Sequence, residues 1–142
     1  MNIVVDTRHW PLVYIAYPRA FSDADWDELL VQAGGLLDRK QSFAWINDAR
    51  TPYIPNARQR TALANHQKAR ADDYRRWARG AAVVSQSAVV RGVITAMSWV
   101  FPTPFPHETF ASLAEAERWI RRQLGLPAHQ LTIADERERL SA

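Results

Sequence analysis

The regular alternation of strand-like and helix-like segments constrains this chain more than any other feature. Short runs of β-branched and aromatic residues alternate with longer segments whose apolar residues recur every three or four positions. Repeated β-α units favour a mainly parallel sheet with right-handed crossovers, because each helix must pack back on the sheet that it connects. We expect five strands, at residues 3–5, 12–17, 43–47, 81–84 and 105–110.

Four helices are expected, and each has a start or a stop signal. Ser22 is a good N-cap, and Phe21 precedes it in position to pack on Trp26. Ser87 and Ser112 are further N-caps, and Gly80 and Gly125 are typical of helix ends. The expected helices lie at residues 22–37, 56–79, 87–100 and 112–124.

The resulting order is β-β-α-β-α-β-α-β-α. The short link between the first two strands predicts an antiparallel hairpin. Pro106 predicts either an edge position for the fifth strand or a pairing that starts after the proline. We therefore expect one α/β domain over residues 1–125, with a mostly parallel five-stranded sheet covered by helices. Residues 126–142 are largely polar and are expected to form a loosely attached tail.

Composition excludes several classes of function. The 142-residue chain has no cysteine, which excludes disulfides, thiolate metal sites and a cysteine nucleophile. It has no apolar run of the roughly 20 residues that a membrane-spanning helix needs and no signal-peptide pattern, so we expect a cytoplasmic protein. The net charge of +3 is too small to indicate nucleic-acid binding, and we expect no DNA partner.

Three segments resemble a known superfamily. They are residues 43–50 (FAWINDAR), 88–92 (AVVRG) and 110–116 (FASLAEA), with a basic helix between the first two. With the element order, they resemble the SpoIIAA-like (STAS) superfamily and its uncharacterised bacterial STAS/SEC14-like members. The resemblance implies a protein-binding module, and some relatives bind lipids or other small ligands. The phosphorylated serine turn of anti-sigma factor antagonists has no counterpart at residues 48–52, so that site is not transferred.

A candidate ligand site follows from the end of the third strand. Ligands of open α/β sheets are usually held at the carboxyl ends of the strands, where Asp48 and Arg50 are expected. Arg91 interrupts an otherwise apolar helix close to its N-terminus and is suited to an anion. The alternative is structural: Asp48 fixes the loop through backbone amides, or pairs with Arg50 or Arg91.

The segment from Trp99 to Pro106 is a candidate partner surface. Its prolines impose an extended loop, and Trp99, Phe101 and Phe105 are its aromatic residues. Exposed, these side chains would bind a protein partner or a second copy of the chain. Buried, they would close the end of the sheet.

The helix at residues 56–79 carries a net charge of +5, from seven basic and two acidic residues, whereas the rest of the chain carries −2. It suits peripheral contact with an anionic membrane surface, an acidic protein or a nucleic acid. The alternative is a solvated face whose arginines pair with neighbouring acids.

No set of residues marks an enzyme. His107 and Glu108 form an adjacent histidine–acid pair, but catalysis also requires a nucleophile and a stabiliser. His9, His66 and His129 lack metal-ligand spacing, so no metal or cofactor is expected. The leading hypothesis is a non-catalytic protein-binding module of regulatory or scaffolding type. Binding of an acyl or anionic small molecule is the alternative.

Overall fold

A computed structural model describes residues 3–51, 53–100 and 102–141. In these residues the chain forms an α/β fold with five strands and six helices. The strands are β1 (Val4–Asp6), β2 (Leu12–Ala16), β3 (Phe43–Asp48), β4 (Ala78–Val84) and β5 (His107–Phe110). The helices are α1 (Asp23–Asp38), α2 (Ala57–Ala69), α3 (Ala71–Trp77), α4 (Ala88–Val100), α5 (Leu113–Gln123) and α6 (Thr132–Ser141).

The strands lie in one sheet in sequential order from β1 to β5. β1 pairs with β2 antiparallel, and every later neighbour pair is parallel. The predicted hairpin, the mostly parallel sheet and the edge position of the fifth strand are therefore confirmed. β2 and β3 are apolar on both faces because helices cover both sides of the sheet.

Two apolar cores lie on opposite faces of the sheet. Val13, Phe43 and Trp45 belong to the core that α1, α2 and α3 cover. Leu12, Ile46 and other residues of the alternate parity belong to the second core, which α5 and α6 cover. α4 contributes no residue to either core.

Local signals explain the first helix. The Ser22 hydroxyl oxygen accepts a hydrogen bond from the Asp25 amide at 3.0 Å, and the Asp25 carboxylate accepts one from the Ser22 amide at 2.9 Å, which forms a capping box. Phe21 stacks on Trp26 with ring centroids 5.6 Å apart. The helix continues through Gly34 and Gly35, because Leu36 and Leu37 bury their side chains in the core beyond them.

The predicted long second helix is wrong in its continuity and its end. It divides at Arg70, whose backbone leaves the helical region while its side chain bridges Asp38 and Asp73. It then gives way to β4 at Ala78. Gly80 is a strand residue and not a helix cap: a Cβ at this position would lie 2.9 Å from the Trp119 ring.

Residues 126–142 are not a loose tail where the structure describes them. α6 buries Ile133 and Ala134 against the second core. Glu117, fully buried on α5, accepts a hydrogen bond from the Ala134 amide at 2.8 Å and forms an ion pair with Arg121 at 2.8 Å. This polar segment therefore docks on the domain in two ways: its few apolar residues are buried in the second core, and its backbone bonds the buried Glu117 carboxylate of α5.

Ion pairs also join α6 to the first hairpin. Arg137 contacts Asp6 at 2.8 Å, and Glu136 contacts both Arg8 at 2.6 Å and His9 at 2.8 Å. The hydrogen bond from Arg8 lowers the pKa of Asp6 to about 2, although burial opposes this shift. The hydrogen bond from His9 is the largest cause that lowers the pKa of Glu136.

Candidate functional site

The carboxylate of Asp48 lies at the end of β3 and is buried. Arg50 donates three hydrogen bonds to this carboxylate. Its backbone amide donates to Oδ1 at 3.1 Å, its Nε donates to Oδ1 at 2.9 Å, and its Nη2 donates to Oδ2 at 2.8 Å. The Tyr14 hydroxyl, on the adjacent β2, donates to Oδ2. Four donors therefore surround this carboxylate from within the protein.

The electrostatics of this cluster keep Asp48 charged. Burial alone would raise the pKa of the Asp48 carboxyl, but hydrogen bonds from Arg50 and Tyr14 outweigh it and lower the pKa. Burial, and then the bond to Asp48, raises the pKa of Tyr14 well above its usual range. The Arg137 guanidinium covers the Tyr14 ring at 4.1 Å from its centroid. The arrangement is a satisfied ion pair and supports the structural interpretation of Asp48.

Arg91 is not brought together with Asp48 among the described residues. Its guanidinium donates to the Ser85 carbonyl at 2.6 Å, which ties the first turn of α4 to the end of β4. Two shallow depressions of the described surface lie elsewhere. One follows α2 along Arg58 and Thr61, and the other lies beside Ile3 and Glu28. Neither is lined by Asp48, Arg50 or Arg91, so the predicted ligand residues do not converge on a cavity there.

α4 is the most unusual element of the surface. None of its residues is buried, and ten of the thirteen are exposed. The half-buried Arg91, Ile94 and Ser98 lie on the side that faces the rest of the protein. The large exposed side chains, with their exposed fractions, are Val89 (77%), Val90 (44%), Val93 (53%), Met97 (51%), Trp99 (80%) and Val100 (69%). A helix that is apolar on most of its circumference is normally buried.

The outward side of α4 has two adjacent rows of side chains. Residues four apart lie nearly above one another on a helix. One row contains Val89, Val93 and Met97 and forms a ridge of large side chains. The neighbouring row runs through Ala88, Gly92 and Ala96, which form a groove, and ends at the exposed Val100. We call these two rows, together with Trp99, the α4 surface.

The three predicted aromatic contacts have different positions. Trp99 is exposed on the α4 surface. Phe101 lies outside the described residues. Phe105 is buried in the first core, where its ring packs on Trp45 at 4.7 Å and on Tyr74 at 5.3 Å between centroids. Phe105 therefore closes the end of the sheet, which is the second of the two alternatives for this segment, and it is not an exposed partner contact.

Val89, Val93 and Met97 lie on a helix that was predicted, but they were not among the predicted partner contacts. A signal was present in the sequence: Arg91 is the only charged residue between Ala88 and Val100. A helix without a charged face is either enclosed by its own domain or covered by another molecule. The order of elements alone does not distinguish these cases.

The basic helix proved to be two helices whose arginines are mostly engaged. Arg58 pairs with Asp27 at 3.0 Å, and Arg75 pairs with Asp72 at 2.7 Å. Arg60 donates to the Pro55 carbonyl at 2.6 Å. Such pairing supports the solvated-face interpretation and reduces the free positive charge available to an anionic surface.

Metal and membrane features are limited in the part of the chain that the structure describes. There, no three histidine or acidic side chains converge as a metal-binding group. No helix of these residues combines the length and apolar character needed to cross a bilayer. Comparison with known proteins found no match among family models, curated proteins or solved structures.

Proposed function

We propose that this chain is a non-catalytic protein-binding module, of regulatory or scaffolding type, that contacts its partner through the α4 surface. The observation that carries the proposal is the exposure of an apolar helix with a single charged residue. Contiguous exposed apolar area of this kind typically marks an interaction site, because leaving it in water has a free-energy cost.

The position of α4 adds support. The helix is tied to the end of β4 through Arg91 and Ser85, while its apolar side chains contribute to neither core. Its large residues therefore add little to the packing of the domain. A partner can cover them without displacing any core side chain, so binding does not require the domain to open.

Enzymatic activity receives little support from the candidate residues. His107 and Glu108 occupy neighbouring positions on β5, so their side chains point to opposite faces of the sheet. Asp48, the other candidate acid, is enclosed by Arg50 and Tyr14. General acid–base chemistry needs a group that can exchange a proton with a substrate. A carboxylate whose ionised form is held by four internal donors is poorly suited to that role.

We also propose membership in the SpoIIAA-like superfamily and a cytoplasmic location. The mostly parallel five-stranded sheet with one initial antiparallel hairpin is in keeping with this resemblance. The alternative function, small-ligand binding at Asp48, Arg50 and Arg91, is less well supported. Asp48 and Arg50 satisfy each other, and Arg91 is directed to a backbone carbonyl.

The test is affinity capture from a lysate of the source organism with quantitative mass spectrometry. The variant Val93→Glu places a charge on the α4 surface, and Val31→Glu is its matched control, since Val31 is 68% exposed on α1. We expect the wild type and Val31→Glu to capture the same partner protein. Val93→Glu should not capture it, because burying an unpaired carboxylate in the interface costs several kcal/mol. Identical captured sets for the wild type and Val93→Glu would contradict the proposal.

A further inference from the structure

The α4 surface has the shape and charge of a surface that pairs with itself. From this we infer that α4 packs against α4 of a second copy and forms a two-fold symmetric dimer. This inference rests on the proposed function, since it names the partner of the same surface.

The two rows of the α4 surface are complementary to each other. The ridge of Val89, Val93 and Met97 lies beside the groove of Ala88, Gly92 and Ala96. When two such helices cross about a two-fold axis, the ridge of each copy enters the groove of the other. This is the common packing of rows four residues apart, with helix axes inclined by about 50°. A two-fold interface requires one patch to fit itself, and adjacent rows of large and small residues meet that requirement.

Gly92 allows the close approach that this packing needs. No atom lies within 4 Å of the position that a Cβ would take at Gly92. The groove is therefore open to solvent and is not filled by any described neighbour. A side chain of the second copy, such as Val93, can reach the helix backbone there.

The charge of α4 favours a second copy over other partners. Arg91 is its only charged residue, and the guanidinium is bound to the Ser85 carbonyl on the inner side. Two copies therefore meet without repulsion between like charges. The surface lacks the row of lysine and arginine residues that attracts an amphipathic helix to anionic lipid. It also offers no complement to a charged peptide.

The area is suitable for a reversible dimer. The exposed side chains of the α4 surface amount to apolar area on the order of several hundred Å² per copy, near the largest patches of monomeric proteins. A standard interface buries roughly 800 Å² per partner. The α4 surface is smaller than that, so we expect a dimer that dissociates on dilution in the micromolar range.

The adjacent sheet edge is poorly suited to pair with a second copy in place of α4. β5 has four residues, follows Pro106 and exposes Glu108. Short length, proline and an exposed charge are features by which edge strands avoid pairing with another strand. The helix is thus the self-complementary element at this edge of the molecule.

Sedimentation of the purified full chain from low micromolar to near-millimolar concentration tests the inference. Three variants accompany the wild type. Val93→Glu adds a charge to the ridge, and Gly92→Leu fills the groove while it increases apolar area and helix propensity. Gly35→Leu is the matched control for Gly92→Leu, because Gly35 is also an exposed glycine inside a helix with open space around it.

We expect a reversible monomer–dimer equilibrium for the wild type and for Gly35→Leu. Gly92→Leu and Val93→Glu should each weaken it by about tenfold or more. A wild type that stays monomeric throughout overturns the dimer. So does a Gly92→Leu variant that dimerises as tightly as the wild type, because unspecific apolar contact gains from the added leucine.

The dimer and the proposed function fail in different ways. A monomeric wild type whose α4 surface still captures another protein overturns the dimer alone. A monomeric wild type that captures no protein overturns both. Binding of a monomeric wild type to anionic phospholipid vesicles, lost in Val93→Glu, assigns the surface to a membrane and likewise overturns the dimer.

Discussion

The Tyr14 hydroxyl donates a hydrogen bond to the Asp48 carboxylate across the β2–β3 pair, and both side chains are buried. This contact has a consequence for stability, because a buried carboxylate that loses a donor retains the cost of its desolvation. Asp48 would still have Arg50, so the loss is partial. The end of β3 is therefore held to β2 by a buried polar contact.

We predict that Tyr14→Phe lowers the free energy of unfolding by about 1.5–3 kcal/mol, the usual range for a hydrogen bond to a charged group. Urea unfolding followed by circular dichroism measures this change. Tyr74→Phe is the matched control, since the Tyr74 hydroxyl bonds a ring nitrogen of His66 at 2.7 Å and is also buried. We expect a smaller loss there. Equal losses would argue against a special role for the charged acceptor.

Asp6 is predicted to make stability depend on pH in the acid range. Its pKa is about 2 in the folded chain and 3.8 as the ordinary value. Its contribution is therefore fully present above about pH 4 and is lost as the pH falls toward 2. Solvent screening limits the contribution to on the order of 1 kcal/mol. Asp6→Asn should destabilise the chain at neutral pH and have little effect near pH 2.

Urea unfolding of wild type and Asp6→Asn at neutral pH and near pH 2 checks this sign. Asp72→Asn is a suitable control because the Asp72 side chain is almost fully exposed in its pair with Arg75. We expect Asp72→Asn to change the free energy of unfolding by less than Asp6→Asn at neutral pH. A difference between wild type and Asp6→Asn that grows as the pH falls would refute the assignment.

The buried Glu117–Arg121 pair leads to a third prediction. Glu117→Ala leaves a buried guanidinium without its carboxylate and removes the acceptor of the Ala134 amide. Breaking such a pair from one side costs about 3–5 kcal/mol. We expect α6 to detach first, and its amide hydrogens to exchange faster than those of β3. Glu138→Ala on the exposed side of α6 is the control, and an equal effect of both variants would be evidence against the buried pair.

Gly80 supports a fourth prediction. A methyl group there would lie 2.9 Å from the Trp119 ring, so Gly80→Ala must displace that ring. Such overpacking costs about 1–3 kcal/mol. Gly35→Ala, at an open helical position, should instead stabilise the chain by about 0.5–1 kcal/mol. Thermal unfolding measures both, and an unchanged melting temperature for Gly80→Ala would contradict the close contact.

The sheet was the part of the fold that could be predicted best from the sequence. The alternation of apolar runs and capped helices identifies all five strands, and the capping residues Ser22 and Ser112 mark the starts of α1 and α5. These signals are local, because capping and periodicity depend on residues a few positions apart. The elements that they predict are present in the structure because tertiary packing favours the same elements.

Features that depend on distant contacts could not be predicted in this way. Arg70 interrupts a helical pattern because Asp38 and Asp73 receive its guanidinium. Gly80 looks like a helix cap locally, yet the ring of Trp119 requires a glycine there. α6 docks through Glu117, fifteen to seventeen residues earlier in the chain. In each case at least one partner (Asp38, Trp119 or Glu117) lies well beyond the three or four positions on which helical periodicity depends.

The candidate sites divide in the same manner. The position of Asp48 and Arg50 at the end of β3 follows from strand order, but their mutual pairing depends on side-chain geometry. Exposure and burial were both left open for the segment from Trp99 to Pro106: Trp99 is exposed, whereas Phe105 is enclosed by Trp45 and Tyr74. Whether an apolar residue near a proline is buried depends on which helices reach it. That information is absent from local spacing.

The ion pair between Asp6 and Arg137 closes a separation of 131 residues along the chain. Contacts between residues so far apart in sequence have the largest entropic cost of loop closure. We therefore expect them to form after the folding barrier has been crossed. Loss of this pair should therefore leave the refolding rate nearly unchanged and accelerate unfolding. The ion pair between the first hairpin and the last helix would thus set the lifetime of the folded molecule and have little influence on the time that folding takes.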